Sequence, residues 1–88
     1  SARKLNFKDH IDVRGLRAAE ALEEVRDFID DAIMVGVGTV TILHGKGTGA
    51  LKEEIRRYLR TVPEVERAAD EHADRGGAGI TVVTLRMD

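Results

Sequence analysis

The chain has 88 residues and a formal net charge of −2, a length that suits one small domain with a single hydrophobic core. It contains no cysteine, which excludes a disulfide framework, a thiolate metal site and a thiol nucleophile. No apolar run is long enough to cross a bilayer, and the first residues form no signal-peptide pattern. We therefore expect a cytoplasmic protein with no membrane contact.

The small net charge conceals blocks of opposite sign. Residues 1–17 contain five basic and two acidic residues, whereas residues 18–35 contain six acidic residues and one basic residue. Residues 46–63 are again basic, with five basic and two acidic residues, and residues 64–74 are acidic. If the two basic blocks meet in the fold, they form one positive face on an otherwise acidic domain.

The first predicted elements are a short strand and a long helix. Apolar and polar residues alternate over residues 10–14, which predicts a strand that carries Asp12 and Arg14 on one side. Apolar residues then recur every three or four positions over residues 18–35, and Gly36 is placed as a C-cap. We expect the acidic outer face of this helix to be a solvated surface without a function.

The second half of the chain predicts a strand, a helix and a hairpin. Residues 39–43 are rich in β-branched side chains, which indicates a buried strand, and helical spacing follows over residues 49–61 until Pro63 ends it. Residues 65–73 and 80–85 are predicted to form an antiparallel pair of strands. The order βαβαββ predicts an α/β fold (an α+β sandwich) with a mixed four-stranded sheet and two helices.

The loop after the second strand, His44-Gly45-Lys46-Gly47-Thr48-Gly49, is the most informative segment. Its glycines let backbone N–H groups converge at a helix start, where they would stabilise a phosphate, with Lys46 adding charge and Thr48 a hydroxyl. A tight turn with an ordinary N-cap is the alternative. A P-loop is excluded because Gly47 follows the lysine, and a dinucleotide fingerprint is excluded because Ala50 stands where its third glycine would be.

Basic residues on the second helix could extend this site. Lys52 and Arg56 are four residues apart and share a helix face, which could follow the phosphates of a nucleic acid or could be an ordinary solvated face. Gly77 and Gly79 lie in the last loop, which could approach the backbone of a ligand or could be a flexible connection. Three aromatic residues are too few for a stacking platform, so we expect recognition of backbone and shape.

A catalytic group is predicted where the first two strands end. If these strands are parallel neighbours, Asp12 and Arg14 lie near His44 and Lys46, and a histidine with charged partners could support phosphodiester cleavage. A surface ion pair or a turn cap is the alternative for Asp12 and Arg14. We predict no built-in metal site, although Mg²⁺ or Mn²⁺ held by a carboxylate and substrate phosphates is compatible with cleavage.

Three motifs resemble the Smr (small MutS-related) domain. Residues 11–15 (Ile-Asp-Val-Arg-Gly), 44–49 and 76–81 (Gly-Gly-Ala-Gly-Ile-Thr) match its opening, central and closing motifs in the family's order and spacing. The resemblance covers roughly residues 10–86 and is greatest to the C-terminal domain of the bacterial MutS-two family. It implies a fold like that of the C-terminal domain of translation initiation factor three.

The resemblance also implies a function and site residues. It implies an endonuclease domain that nicks DNA or cuts RNA, with Asp12, Arg14 and His44 as catalytic candidates, and with Lys46 and the loop glycines Gly45, Gly47 and Gly49 on phosphate. Many Smr domains have histidine where this chain has Arg14, while arginine is usual in the MutS-two branch. This difference gives Arg14 a phosphate-clamping role and assigns any acid or base role to His44.

The expected context is a longer protein. Residues 1–9 are predicted to be an N-terminal extension, formed by a tag remnant and a linker, and residues 10–88 the domain itself. The resemblance implies a homodimeric parent with an ATPase, acting in DNA repair and the suppression of homologous recombination on DNA, including branched DNA. ATP belongs to that parent alone. The alternatives are a non-catalytic module that binds nucleic acid, RNA or the ribosome, and a pure protein-interaction domain.

Overall fold

The computed structural model describes residues 7–87, which form four strands and two α-helices in the predicted order. The strands are β1 (His10–Asp12), β2 (Thr39–Leu43), β3 (Val65–Asp70) and β4 (Ile80–Leu85). The helices are α1 (Ala18–Val35) and α2 (Ala50–Leu59), and two single 3₁₀ turns, Ala73–Arg75 and Gly77–Gly79, connect β3 to β4. Neither α-helix in this described part of the chain is long and apolar enough to cross a membrane.

The four strands form one mixed sheet in the order β1-β2-β4-β3. β1 pairs with β2 in parallel, and β4 pairs antiparallel with both β2 and β3. The predicted mixed four-stranded sheet with two helices is therefore confirmed. Because β1 and β2 are parallel neighbours, their carboxyl ends lie at the same edge of the sheet, as the site prediction required.

One face of the sheet is buried beneath the helices. Burial alternates along β2, where Val40 and Ile42 are buried, and along β4, where Thr81, Val83 and Leu85 are buried. These side chains join the apolar faces of α1 and α2 in one core. A half-buried strand that alternates in this way presents every second residue to the helices.

The ends of several elements differ from the sequence prediction. β1 stops at Asp12 because Arg14 enters a turn, although the Val13 N–H still donates to the Leu43 carbonyl at 2.9 Å. Gly36 caps α1 with φ 85°, as predicted. β3 ends at Asp70 rather than at residue 73, because the chain turns there into the first 3₁₀ turn.

Residues 7–9, the last part of the predicted N-terminal extension, contact the sheet and α1. Residues 1–6 lie outside the described residues. The Phe7 ring stacks on the Phe28 ring of α1 with centroids 5.7 Å apart, and the Asp9 carbonyl accepts a hydrogen bond from the Thr41 N–H at 2.9 Å. The residues just before β1 therefore contribute to the core and to the sheet.

Candidate functional site

A charged pair stands at the end of β1. Arg14 donates from Nε to Asp12 Oδ1 at 3.0 Å and from Nη2 to Asp12 Oδ2 at 2.8 Å, and its backbone N–H donates to Oδ1 at 3.0 Å. These bonds from Arg14 lower the pKa of the Asp12 carboxyl from 3.8 to about 2. The two readings that the sequence left open, an ion pair and a turn cap, are both present. About half of each side chain stays exposed, so the guanidinium can still meet a ligand.

His44 lies on the other side of the sheet from this pair. Asp12 is in register with Leu43, whereas His44 continues the alternation of Val40 and Ile42 on the face beneath the helices. The His44 residue is 5% exposed. The expected convergence of Asp12 with His44 is therefore not found, because successive side chains of a strand leave opposite faces of the sheet.

Both ring nitrogens of His44 have partners within the protein. Nδ1 lies 2.8 Å from the Gly45 carbonyl oxygen, and Nε2 lies 2.8 Å from the Thr81 hydroxyl oxygen. A carbonyl can only accept, so Nδ1 carries the proton and Nε2 accepts from Thr81. Burial lowers the pKa of His44 and outweighs the hydrogen bond to the Gly45 carbonyl, which raises it, while the nearby charges of Lys52 and Arg56 lower it further. The ring is therefore neutral at pH 7.

Lys52 and Arg56 of α2 converge on a single carboxylate. Asp70 Oδ1 lies 2.7 Å from Lys52 Nζ and 2.6 Å from Arg56 Nη2, and Arg56 Nε donates to the Thr81 hydroxyl oxygen at 3.3 Å. The two basic side chains are only 18% and 20% exposed. The face of α2 for which the sequence suggested phosphate contacts is thus directed at β3. Asp70 was not among the predicted site residues, and Thr81 was predicted only as the last residue of the closing motif, without a role. Its position offered a signal, because Thr81 is a polar residue at a core-facing position of an apolar strand.

The glycine loop between β2 and α2 has alternating backbone conformations. Gly45, Gly47 and Gly49 have φ of 83°, 39° and 84°, whereas no residue other than glycine has a positive φ within residues 7–87. Such alternation turns successive N–H groups towards one side and forms a concave anion-binding surface. The N–H groups of Lys46, Gly47 and Thr48 have no hydrogen-bond partner among the described residues.

The Arg14 side chain and Gly79 lie beside this loop, which itself carries Lys46. A Cβ placed on Gly45 would lie 3.5 Å from Arg14 Cγ, and a Cβ placed on Gly79 would lie 3.5 Å from Lys46 Cγ. Gly79 therefore packs against the loop, while a Cβ on Gly77 would meet only open space. Of the residues predicted to converge, the structure brings the Arg14 side chain to the loop that carries Lys46.

A cavity of about 310 Å³ opens at the start of α2. It is lined by Leu16 and Ala18, by the glycine loop and by the first turns of α2, which contribute Lys52 and Glu54. Gly49 forms the left-handed N-cap of α2, and the Thr48 hydroxyl accepts from the Ala50 N–H at 3.3 Å. The positive end of the helix dipole and the loop N–H groups thus face one concavity.

Possible metal-binding side chains are dispersed over the described part of the chain. Among residues 7–87 no three His, Asp or Glu side chains are grouped so that they could hold a metal ion by themselves. At the end of β1, both oxygens of the Asp12 carboxylate accept hydrogen bonds from Arg14.

The part of the chain that contains this site matches a known domain family. The model of the Smr domain family matches residues 11–86. This chain belongs to the Smr domain family. The match contains both strand ends, the glycine loop and the last loop, so all parts of the candidate site lie within the Smr domain.

Sequence relatives of this Smr domain are much longer proteins. Endonuclease MutS2 of Halalkalibacterium halodurans is 46% identical over 81 residues, which are 92% of this chain and 10% of that protein. Endonuclease MutS2 of Thermus thermophilus is 50% identical over 76 residues, which are 86% of this chain and 10% of that protein. The chain thus spans about a tenth of the length of these relatives.

Two solved structures share the fold of this Smr domain. The Smr domain of Thermus thermophilus MutS2 superposes with a TM-score of 0.86 at 48% identity, covering 90% of this chain and 99% of that one. YdaL, a stand-alone small MutS-related protein of Escherichia coli, superposes with a TM-score of 0.84 at 25% identity, covering 89% of this chain and 64% of that one. The fold thus occurs both as part of MutS2 and in a stand-alone protein.

Proposed function

We propose that this Smr domain binds the sugar–phosphate backbone of a nucleic acid at its glycine loop and cleaves a phosphodiester bond there. The observation that carries the proposal is the row of three N–H groups at Lys46, Gly47 and Thr48, which have no partner among residues 7–87. The loop also carries the Lys46 side chain, and the Arg14 side chain packs beside Gly45 at its start. Backbone N–H groups at a helix start with Arg and Lys beside them are suited to a phosphate.

The charged pair would give cleavage its electrostatic support. When water attacks phosphorus, a P–O bond forms, the bond to the leaving sugar oxygen breaks, and negative charge builds up on the remaining phosphate oxygens. Arg14 and Lys46 would stabilise that charge, and Asp12 would orient Arg14 through two hydrogen bonds. The attacking water gives up its proton, and the leaving oxygen gains one.

His44 is the proposed proton acceptor because it lines the cavity at the glycine loop and its lowered pKa favours the neutral ring at pH 7. Its ring lies on the helix-covered face of the sheet, so in this proposal it approaches the phosphate from the opposite side to Arg14. Its Nε2 is bonded to the Thr81 hydroxyl in this structure, so the hydroxyl must turn away before Nε2 accepts a proton. The names of the MutS2 relatives support an endonuclease. We propose DNA as the substrate, in a longer ATPase-containing protein that acts in DNA repair and suppresses homologous recombination, with RNA as the alternative.

The test is nicking of supercoiled plasmid by the purified domain. Asp12→Ala, Arg14→Gln and His44→Ala should each lower the nicking rate, by about 100-fold or more for Arg14→Gln because it removes an electrostatic stabiliser of the transition state. Arg60→Gln is the matched control, since it removes one positive charge from the far end of α2 and should nick like wild type. Equal nicking by all five proteins would reveal a contaminating nuclease and refute the assignment.

A second function, binding without cleavage, is favoured because the possible acid–base groups are already hydrogen-bonded within the protein. Both ring nitrogens of His44 and both carboxylate oxygens of Asp12 are bonded to protein partners. A binding module would hold plasmid with an affinity that falls as salt rises and would lose affinity in Lys46→Gln. Salt-dependent binding by a wild-type domain that never nicks would select this alternative.

A further inference from the structure

A chain of polar side chains connects β3 to the glycine loop through the interior. Asp70 on β3 binds Arg56 of α2 at 2.6 Å, Arg56 binds Thr81 of β4 at 3.3 Å, and Thr81 binds His44 at 2.8 Å. His44 in turn binds the Gly45 carbonyl at 2.8 Å. The chain thus begins at a half-exposed carboxylate and ends on the backbone of the proposed phosphate site.

The chemistry of the partners favours one arrangement of the hydrogens in this chain. The Arg56 Nε–H can only donate, so the Thr81 oxygen accepts from it, and the single hydroxyl hydrogen of Thr81 is left for His44 Nε2. The ring proton is then on Nδ1 and is donated to the Gly45 carbonyl. With this arrangement the described interior is consistent with the finding that, among residues 7–87, no buried side-chain nitrogen or oxygen lacks a partner.

The sequence suggested a different role for Arg56, together with Lys52, as a phosphate contact. Both side chains are about four-fifths covered and share the same Asp70 oxygen at 2.6 and 2.7 Å. A phosphate would have to compete with that carboxylate for each of them. The bonds of Arg56 are better suited to holding Thr81 in place than to meeting a ligand.

We propose that Asp70, Arg56 and Thr81 are positioning residues, which hold His44 in one tautomer and, through the Gly45 carbonyl, hold the glycine loop in its anion-binding shape. None of the three contacts the substrate. The inference rests on the proposed function in so far as it takes the loop to be the phosphate site. It adds that Asp70, on a strand outside the three sequence motifs, controls that site.

Asp70→Asn distinguishes a phosphate-contacting role of Lys52 and Arg56 from a positioning role, because the two roles predict opposite changes in DNA affinity. If Lys52 and Arg56 contact phosphates, removing the carboxylate that competes for them strengthens binding and steepens its salt dependence. If they position His44, the same change weakens binding although the domain becomes less negative. We expect about a fivefold loss of affinity for a labelled DNA duplex, measured by fluorescence anisotropy at several salt concentrations.

Glu66→Gln is the matched control for this measurement. Glu66 is exposed on the same strand, and its replacement removes the same charge without touching the chain of hydrogen bonds. Its affinity should equal that of wild type or exceed it slightly. Affinity in Asp70→Asn that matches or exceeds that of Glu66→Gln would overturn the positioning role.

A second measurement does not need nucleic acid, so it separates failure of this inference from failure of the proposed function. Nitrogen-15 NMR of the free domain should show His44 protonated on Nδ1. The backbone amide signals of Lys46, Gly47 and Thr48 should shift in Asp70→Asn but not in Glu66→Gln. A ring protonated on Nε2, or loop signals that stay unchanged in Asp70→Asn, would refute the inference even if the domain binds DNA.

The Thr81 hydroxyl provides a rescue experiment. Thr81→Ser keeps the hydroxyl and should keep the wild-type loop signals and DNA affinity, whereas Thr81→Val removes it and should lose both. Circular dichroism at the working temperature shows whether each variant is folded. Loss of the loop signals in a folded Thr81→Ser would show that the methyl group, and not the hydroxyl, sets the loop.

Discussion

Two polar clusters lie near the same edge of the sheet and differ in how they are built. The surface pair, Asp12 and Arg14, joins residues two positions apart within one turn, and each side chain is about half exposed. The interior network, Asp70, Arg56, Thr81 and His44, joins two strands, a helix and a loop, and its bond between Thr81 and His44 spans 37 residues. Thr81 is 0% exposed and His44 is 5% exposed.

The exposed groups of the surface pair can exchange their partners for a ligand at little cost, whereas the buried groups of the interior network need their partners for the fold to be stable. Exposed ion pairs contribute little to stability because water solvates the separated charges nearly as well. A buried polar group that loses its partner costs its full desolvation free energy. Substitutions in the surface pair should therefore reduce activity and leave the fold unchanged, while substitutions in the interior network should affect both.

The largest expected effect is on the stability of Thr81→Val. This nearly isosteric change leaves His44 Nε2 and Arg56 Nε without their shared partner, so the free energy of unfolding should fall by about 2–4 kcal/mol. Urea unfolding measures it. Thr81→Ser should lose less than about 1.5 kcal/mol, since it removes only a methyl group. If Thr81→Val is as stable as wild type, the interior network does not support the fold.

A smaller effect is expected on the pH dependence of stability. The pKa of His44 is lowered in the fold by burial, and further by Lys52 and Arg56 of α2, while Asp70 of β3 acts in the opposite direction. The unfolded chain therefore takes up a proton at higher pH than the folded chain does. The stabilisation is fully present above about pH 6.5 and is lost as the pH falls below it.

Thermal unfolding between pH 7.5 and 5.5 measures this effect. The free energy of unfolding should decrease towards the acid end by at most about 1.4 kcal/mol per pH unit, because one proton is involved. His44→Gln should flatten the profile, while His72→Gln, which changes an exposed histidine, should keep the wild-type slope. A wild-type midpoint that stays level or rises as the pH falls contradicts a buried neutral His44.

The smallest expected effect is the titration of Asp12. Its pKa is about 2 because Arg14 donates to it, so in Arg14→Gln the pKa should return towards 3.8. In wild type the ion pair is complete above pH 3.8 and is lost as the pH falls through about 2. Carbon-13 NMR of the Asp12 carboxyl follows both proteins, and the thermal midpoint at pH 7 should stay the same. An unchanged Asp12 pKa in Arg14→Gln would show that Arg14 does not hold the carboxylate.

Most of the fold could be predicted because each element carries its own signal. The 18 residues of α1, its glycine cap and the bounds of β2 and β4 follow from spacing along the chain alone. The end of β3 could not be predicted, because Glu71 and His72 leave the strand only where the last loop folds back. The backbone hydrogen bond from Thr41 to Asp9 could not be predicted either, because it forms only once β2 lies beside the residues that precede β1.

The parts of the candidate site that depend on residues close in sequence could be predicted. The Asp12 and Arg14 pair and the left-handed glycines need only neighbouring residues. The partner of Lys52 and Arg56 could not be found from the sequence, since Asp70 reaches α2 only after the chain has reversed. The burial of His44 was available in principle, because His44 continues the alternation of Val40 and Ile42, but the glycines beside it indicated an exposed loop.

The Gly79 carbonyl has a consequence for local motion. It accepts hydrogen bonds from the His44 N–H at 3.1 Å and from the Gly45 N–H at 3.0 Å, so the two loops can open only together. In amide hydrogen exchange these two groups should be protected as one unit, whereas the three N–H groups that follow, which have no partner within residues 7–87, should exchange faster. The loop is thus rigid where it leaves the sheet, and its fastest-exchanging hydrogens are those available to a phosphate.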